Sequence, residues 1–321
     1  MNSIAGKVIV ITGASSGAGR AIANELAREG ASLVLAARNE EALYEVAAEC
    51  KESGAANVHV IITDTREWEQ LRHLSTEAFE RLGHIDVWIN NAGVLAAGAL
   101  EDIPEEVNEN VVRTNLLGYI HGAHAVLPYF KQQKQGILIN NISVGGWFPT
   151  PYMSAYCASK FGLRGFFESL KGELNDYPDI RICDLSPGFL DTPGIQHSAN
   201  YTGHYLRPAP PVYDPRKVAK AIVSLIKLPR SRKVVGASSA FLKLAYALFP
   251  KLSRNITAGV IRKYLSNAEP VKHTSGNVLQ TVEYGNSIDG GWRTSLKPSR
   301  LTRSLVMLSG FAIGWIALSK K

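Results

Sequence analysis

Tyr156 and Lys160 stand four residues apart in "SAYCASKFG", a stretch from 154 to 162 whose composition suits a helix. Positions i and i+4 share a helix face, with Cβ atoms roughly 5–6 Å apart. A phenol titrates near pH ~10, too high for proton exchange near neutrality. An ammonium beside it favours the phenolate and lowers that value by about 1–3 units, which would suit general acid–base work. A Tyr–Lys pair can also lie idle on a surface, so its surroundings decide. Ser143 precedes Tyr156 by 13 residues (156 − 143), enough for a strand-to-helix loop to bring both side chains to one site.

A second chemistry lies near the start. "TGASSGAG", from Thr12 to Gly19, follows an apolar run and opens a helical stretch. Gly13, Gly17 and Gly19 let the backbone turn tightly and approach a pyrophosphate at a helix N-terminus, where free N–H groups favour anions. In dinucleotide folds the end of the second strand selects the cofactor: an acid there binds the ribose 2′-OH, an Arg accommodates a 2′-phosphate. Here Ala37 takes the acid's place and Arg38 follows. NADP(H) is therefore the expected cofactor. Asp64, "NNAG" (Asn90 to Gly93) and Ser143 fall at three further strand ends, and Asn115 lies inside a helical stretch where Asn is a poor helix former.

The elements that must position these residues alternate regularly. Apolar runs at 7–12, 32–36, 58–63, 85–90, 136–142, 180–186 and 233–235 predict seven strands. Helical patterns at 17–29, 40–53, 68–82, 105–130, 153–174 and 215–226 lie between them. Continuous apolar strands separated by helices predict an α/β, Rossmann-type, doubly wound parallel sheet with helices on both faces. Ligands bind such sheets beyond the carboxyl ends of the strands, where the candidate residues cluster. Between 189 and 214 periodicity lapses and prolines gather, which predicts a lid or binding loop carrying His197, Tyr201, His204 and Tyr205.

These residues together resemble the short-chain dehydrogenase/reductase superfamily, in its shorter branch with TGxxxGxG spacing. The matching elements are Thr12–Gly19, Asp64, Asn90–Gly93, Asn115, Ser143, Tyr156-x-x-x-Lys160 and "SPGFLDTP" from Ser186 to Pro193, in order, over residues 1 to about 236. Ala18 and Val144 depart from common family choices without removing a catalytic group. The resemblance implies carbonyl–alcohol interconversion with Asn115, Ser143, Tyr156 and Lys160 as catalytic residues. Tyr156 would protonate the carbonyl oxygen, Ser143 would hydrogen-bond it, Lys160 would lower the phenol pKa and bind the nicotinamide ribose, and Asn115 would anchor a relay water. It also implies that Gly13, Ser15, Ser16, Gly17 and Gly19 line the phosphates and Arg38 the 2′-phosphate. Asp64 would meet the adenine, Asn91, Ala92 and Gly93 its ribose, and Pro187, Gly188 and Thr192 the nicotinamide. A homodimer or homotetramer through the helices at 105–130 and 153–174 is expected on the same ground. A non-catalytic NADP(H) sensor is the alternative, disfavoured by the intact Ser143, Tyr156 and Lys160. No metal is expected: His121 and His124, three apart on a helix, have no acidic or cysteine partner nearby in sequence.

Charge divides the chain. Residues 1–228 hold 20 Lys and Arg against 25 Asp and Glu, a net −5; residues 229–321 hold 15 against 3, a net +12, together the chain's +7. Residues 1–236 read as the catalytic domain and 237–321 as a basic helical extension. Phe241, Leu244, Ala245 and Leu248, then Leu252, Ile256 and Val260, repeat at helical spacing beside Lys243, Lys251, Arg254, Arg262 and Lys263, a pattern that suits either interfacial helices on anionic lipid or a helix pair packed on the parent domain or a partner subunit. The apolar run 305–318 is 14 residues, about 21 Å as a helix, short of a ~30 Å hydrocarbon core; partial insertion with Trp315 at the interface is the expectation. The three cysteines, Cys50, Cys157 and Cys183, fit a reducing compartment. The fold already starts at Lys7, so no leader is expected. The resulting expectation is a cytoplasmic enzyme, peripheral on membrane, with a lipophilic small-molecule substrate and no nucleic-acid partner.

Overall fold

The computed structural model describes residues 3–295; the apolar run 305–318 lies outside them. In chain order the strands are β1 (Val8–Thr12), β2 (Ser32–Ala37), β3 (Asn57–Ile62), β4 (Val87–Asn90), β5 (Ala96–Ala97), β6 (Gly136–Asn141), β7 (Ile180–Pro187), β8 (Ala199–Asn200) and β9 (Arg232–Val235). The helices are α1 (Gly17–Arg28), α2 (Glu40–Glu52), α3 (Trp68–Leu82), α4 (Glu105–Val112), α5 (Gly118–Gln133), α6 (Ser154–Glu173), α7 (Arg216–Lys227), α8 (Ala237–Leu248), α9 (Pro250–Leu265) and the short α10 (Trp292–Ser295).

Seven strands form one parallel sheet in the order β3-β2-β1-β4-β6-β7-β9, the doubly wound arrangement expected. Its order reverses between β1 and β4, where a crevice opens at the carboxyl ends. Alternate strand residues point to opposite faces, so β1 serves two cores at once. Ile9 and Ile11 pack with Ile22 and Leu26 of α1, Leu43 of α2 and Ile222 of α7. Val10 packs on the other side with Leu71 and Leu74 of α3, Val126 of α5 and Phe167 of α6.

The single helix read at 105–130 is two helices joined by a π-helical turn, Arg113–Leu117. The turn admits one extra residue and re-aims the side chains around it. Asn115 sits in it, fully buried.

The strongly acid-poor part of the chain has two behaviours. α8 and α9 form a hairpin that leaves Phe241, Leu244, Leu248, Leu252, Ile256 and Val260 exposed. Residues 266–293 then run back over the crevice, joining the parallel pair β5 and β8 through an antiparallel bridge from Asn200 to Thr274. Periodicity gave no sign of this return because the segment is irregular.

Candidate active site

The β1–α1 turn is built by close approach. Gly13 adopts φ +66°, and a Cβ there would lie 2.7 Å from the Ala92 Cα, so no other residue fits. Thr12 Oγ1 accepts hydrogen bonds from the backbone N–H groups of Asn91 (3.0 Å) and Ala92 (3.2 Å). Asn91 Nδ2 in turn donates to the carbonyls of Thr12 and Gly13, both at 3.1 Å. The "NNAG" segment thus holds the glycine turn against the end of β4. Asn90 belongs to a buried polar ladder beneath it: Asn90 Nδ2 donates to Asn140 Oδ1 (3.0 Å), Asn140 Nδ2 to Asp184 Oδ1 (3.1 Å), and Lys171 Nζ to Asp184 Oδ2 (2.6 Å).

A cleft of about 380 Å³ follows the carboxyl ends of these strands. Gly13, Ser15, Ser16, Gly17, Gly19, Arg38, Asp64, Asn91, Ala92, Gly93, Ser143, Tyr156, Lys160, Pro187, Gly188 and Thr192 all border it. Asn115 does not; its amide is spent on Val94, accepting from the backbone N–H and donating to the carbonyl, both at 2.8 Å. That double bond fixes the strand exit beside Gly93 and explains an Asn at a poor helical position.

At the outer end, Arg38 is largely buried rather than a solvated loop charge. One nitrogen donates to the Asn277 carbonyl (2.5 Å) while Nη1 is buried without a partner. Burial, eased by the nearby Asp64 carboxylate, pulls its pKa below the usual guanidinium value. Burial would raise Asp64, but Arg66 donates to both its oxygens, Nε to Oδ1 (3.0 Å) and Nη2 to Oδ2 (2.6 Å), and holds it below the usual carboxylate range. Such a site suits an anion brought to Arg38.

At the inner end, β6 delivers Ser143 and the first turn of α6 delivers Tyr156. Ser143 adopts φ +92°, a costly conformation for a residue with a Cβ and one that clusters at functional sites. Its Oγ accepts from the Gly145 N–H (3.2 Å), and its hydroxyl favours the ionised form of Tyr156. Gly145 admits the ring, since a Cβ there would come within 2.7 Å of Tyr156 Cε1. Lys160 Nζ reaches the Asn141 carbonyl (3.5 Å) and lies 4.7 Å over the Tyr119 ring.

The charge balance differs from the expected one. Burial dominates and pushes the Tyr156 phenol up to about 12, with the Ser143 hydrogen bond pulling the other way. Burial also brings the Lys160 ammonium down to about 7, so the cation meant to lower the phenol is itself disfavoured. Tyr156 is partly buried and keeps part of its surface on the cleft.

Of the loop aromatics, His197 borders the cleft, buried beside Tyr284 with ring centroids 5.3 Å apart. Tyr201 and Tyr205 face His273 and Trp292 instead. His121 and His124 pack edgewise on Trp68. Among the described residues no His, Cys, Asp and Glu side chains group for a metal. Residues that sequence reasoning missed are Asn277, Thr281, Val282 and Asn286, which also border the cleft. Nothing in their local sequence marks them.

Residues 7–201 match the family described as short chain dehydrogenase. The 11-beta-hydroxysteroid dehydrogenase A of Sesamum indicum is 38% identical over 190 residues, 59% of this chain and 54% of that protein. The chain thus spans about half the length of that relative. An uncharacterized oxidoreductase of Bacillus subtilis, YxnA, is 34% identical over 253 residues, 77% of this chain and 70% of that protein. Among solved structures, the alcohol dehydrogenase of the archaeon Thermococcus sibiricus complexed with 5-hydroxy-NADP superposes with a TM-score of 0.62 at 32% identity, covering 71% of this chain and 95% of that one. A metagenomic short-chain oxidoreductase in complex with NADP gives 0.62 at 27% identity, covering 73% and 98%. The glycine turn, the seven-stranded sheet and the sequence match agree: the chain belongs to the short-chain dehydrogenase/reductase superfamily of oxidoreductases.

Proposed function

We propose that the protein is an NADP(H)-dependent oxidoreductase that interconverts a carbonyl and a primary or secondary alcohol, with Tyr156 as general acid and base. One observation carries the reading: Ser143, Tyr156 and Lys160 share a cleft with the glycine turn and Arg38. A buried guanidinium nitrogen without a partner favours an anion, and the 2′-phosphate of NADP(H) is the anion of the right kind. The NADP ligands of two structural neighbours support the same choice. The backbone of the glycine turn with Ser15 and Ser16 would hold the phosphates, Arg38 the 2′-phosphate, Asp64 and residues 91–93 the adenosine, and Pro187, Gly188 and Thr192 the nicotinamide.

When bound, the dinucleotide supplies the hydride that reduces the carbonyl carbon. Tyr156 gives its proton to the substrate oxygen as the C=O π pair becomes the new O–H bond. Ser143 holds that oxygen where charge develops. The phenolate left behind favours the charged form of Lys160, so the two buried groups correct each other's shift at the moment of proton transfer. Asn115, by fixing the strand exit at Val94, positions the wall beside Lys160, and a water there would return the proton.

The inner end of the cleft is apolar, with Phe148, Met153, Phe189, Leu190 and Leu242 on its walls, which supports a lipophilic substrate. The hydroxysteroid dehydrogenase named among the relatives points the same way. α8 gives Leu242 to the cleft while Phe241 and Leu244 face outward. The hairpin of α8 and α9 carries Lys243, Lys251, Arg254, Arg262 and Lys263 and no acid, and each cation near an anionic leaflet contributes about 1 kcal/mol. The same proposal therefore places the protein peripherally on an anionic membrane surface, with the substrate mouth beside the lipid. Among the described residues no helix is long and apolar enough to cross a membrane. Assembly into a homodimer or homotetramer through α5 and α6 belongs to the same reading.

A panel of carbonyls and alcohols with NADPH, NADH and their oxidised forms tests the chemistry; no turnover with any pair sinks it. Co-sedimentation of the full chain with phosphatidylglycerol vesicles, weakened by salt and absent with phosphatidylcholine, tests the docking.

A further inference from the structure

Residues 266–293 leave α9 and cross the face that holds the cleft. Asn200 and Thr274 exchange both backbone hydrogen bonds (2.8 and 3.1 Å), and the Asn277 N–H donates to the His197 carbonyl (2.8 Å). Val278 is fully buried with Val94, Val107 and Ala199. The chain then lies across the nucleotide end of the cleft. Its carbonyls accept from that end in turn: Asn277 from Arg38, Val282 from Asn39 Nδ2 (3.4 Å), Asn286 from Arg20 Nη1 (2.8 Å), and Ser287 from the Gly17 N–H (2.9 Å) at the first turn of α1. Beyond it a latch closes. Asp289 pairs with Arg216 (2.8 Å) and Arg293 (3.1 Å), Arg293 also binds Asp191 and Asp214 (both 2.9 Å), and Trp292 is buried with its indole N–H on the Thr192 carbonyl (3.0 Å).

We infer that residues 277–287 are the outer wall of the dinucleotide site, a strap that encloses the bound cofactor, with Asn277 reading the group beside Arg38. The inference rests on the proposal that this cleft takes NADP(H). Asn277 Oδ1 and Arg38 Nη1 are both buried without a hydrogen-bond partner, and Arg38 already touches the Asn277 backbone. An amide can turn either its oxygen or its nitrogen to a ligand, so a phosphate between the two would satisfy both side chains. The strap is held on both flanks by buried apolar side chains and ion pairs, and a ligand beneath it leaves only when the strap lifts. Cofactor exchange is therefore slow, and its rate is set by the latch rather than by the contacts of the glycine turn.

Stopped-flow displacement of NADPH, followed by its fluorescence on the full chain, tests this. In D289N/R293Q the latch is weakened, and NADPH should dissociate at least tenfold faster. In Asn277→Asp a carboxylate stands beside Arg38, so NADPH affinity should fall at least tenfold and NADH affinity less than threefold. Amide hydrogen exchange across 277–287 in the wild-type chain should slow on adding NADPH. A folded latch variant with an unchanged off-rate, or unchanged exchange in a wild-type chain that binds NADPH, overturns the strap alone. If the latch variant does not fold, the exchange measurement and Asn277→Asp decide. A wild-type chain that binds neither NADPH nor NADH overturns the cofactor reading and the strap together.

Discussion

The two ends of the cleft are built on opposite principles. The inner end takes Ser143 from the loop after β6 and Tyr156 and Lys160 from α6, close in sequence and all within the body of the domain. Burial is the main cause of the shifts of its titratable groups. The outer end takes Arg38, Asp64 and Asn277 from three distant parts of the chain. Its charges are met largely by other charges and by backbone carbonyls. A proton-transfer site needs fixed distances over a few atoms, which one rigid segment supplies. A site that grips a large anionic ligand needs walls on several sides, and only a fold can supply those.

That contrast breaks most visibly at Tyr156. Tyr156→Phe should lower kcat by about 10²–10⁴, the usual worth of a general acid–base group, while NADPH affinity by fluorescence titration stays unchanged. A matching loss of affinity would mean the inner end also does the holding. At the outer end the expected effect is smaller and of the other kind. Ala37→Asp with Arg38→Ser should shift the NADPH-to-NADH affinity ratio about ten- to hundredfold, since a charge-assisted contact is worth roughly 1.5–3 kcal/mol; an unchanged ratio would show that Arg38 meets no phosphate.

A third test concerns Lys160. Its folded pKa, about 7, lies below the ~10.4 of an unfolded lysine. The cost of burying its cation is therefore fully present below pH 7 and fades as pH rises toward ~10. Lys160→Met, in the protein without added cofactor, should raise Tm by a few degrees at pH 6 and by less at pH 9. Equal gains at both values would show that Lys160 is not depressed. The smallest effect lies away from both ends. Leu248 is 61% exposed on α8, so Leu248→Ser should change stability by less than about 0.5 kcal/mol and leave kcat and NADPH affinity untouched. Only vesicle binding should weaken.

The sheet was legible because the strands and their helices carry periodic apolar patterns, and their ends fall within three residues of those read from sequence, the break inside 105–130 apart. The cleft residues on the glycine turn and at the strand ends were legible because glycine spacing and strand-end positions are local signals. The break at Arg113–Leu117 was not, because a π turn has nearly the same side-chain pattern as the helix around it. The direction of the Tyr156 shift was not either. Spacing tells that Lys160 is near, but only the packed structure tells that burial raises the phenol and also disfavours the Lys160 cation. The return of residues 266–293 leaves no periodic trace, since its bonds go to distant backbone groups rather than to neighbours in sequence.

The contact from Gly17 to Ser287 joins residues 270 apart (287 − 17), and this orders events during synthesis. Domains begin to fold from the N-terminus while translation continues, at about 5–20 residues per second. The glycine turn, the sheet and the catalytic pair are complete once α7 and β9 have left the ribosome. The wall over the nucleotide end is still missing then, and about fifty more residues (287 − 235 = 52) must follow before Ser287 can dock. On the proposed reading, a nascent chain thus has its reaction centre in place before it can retain a cofactor.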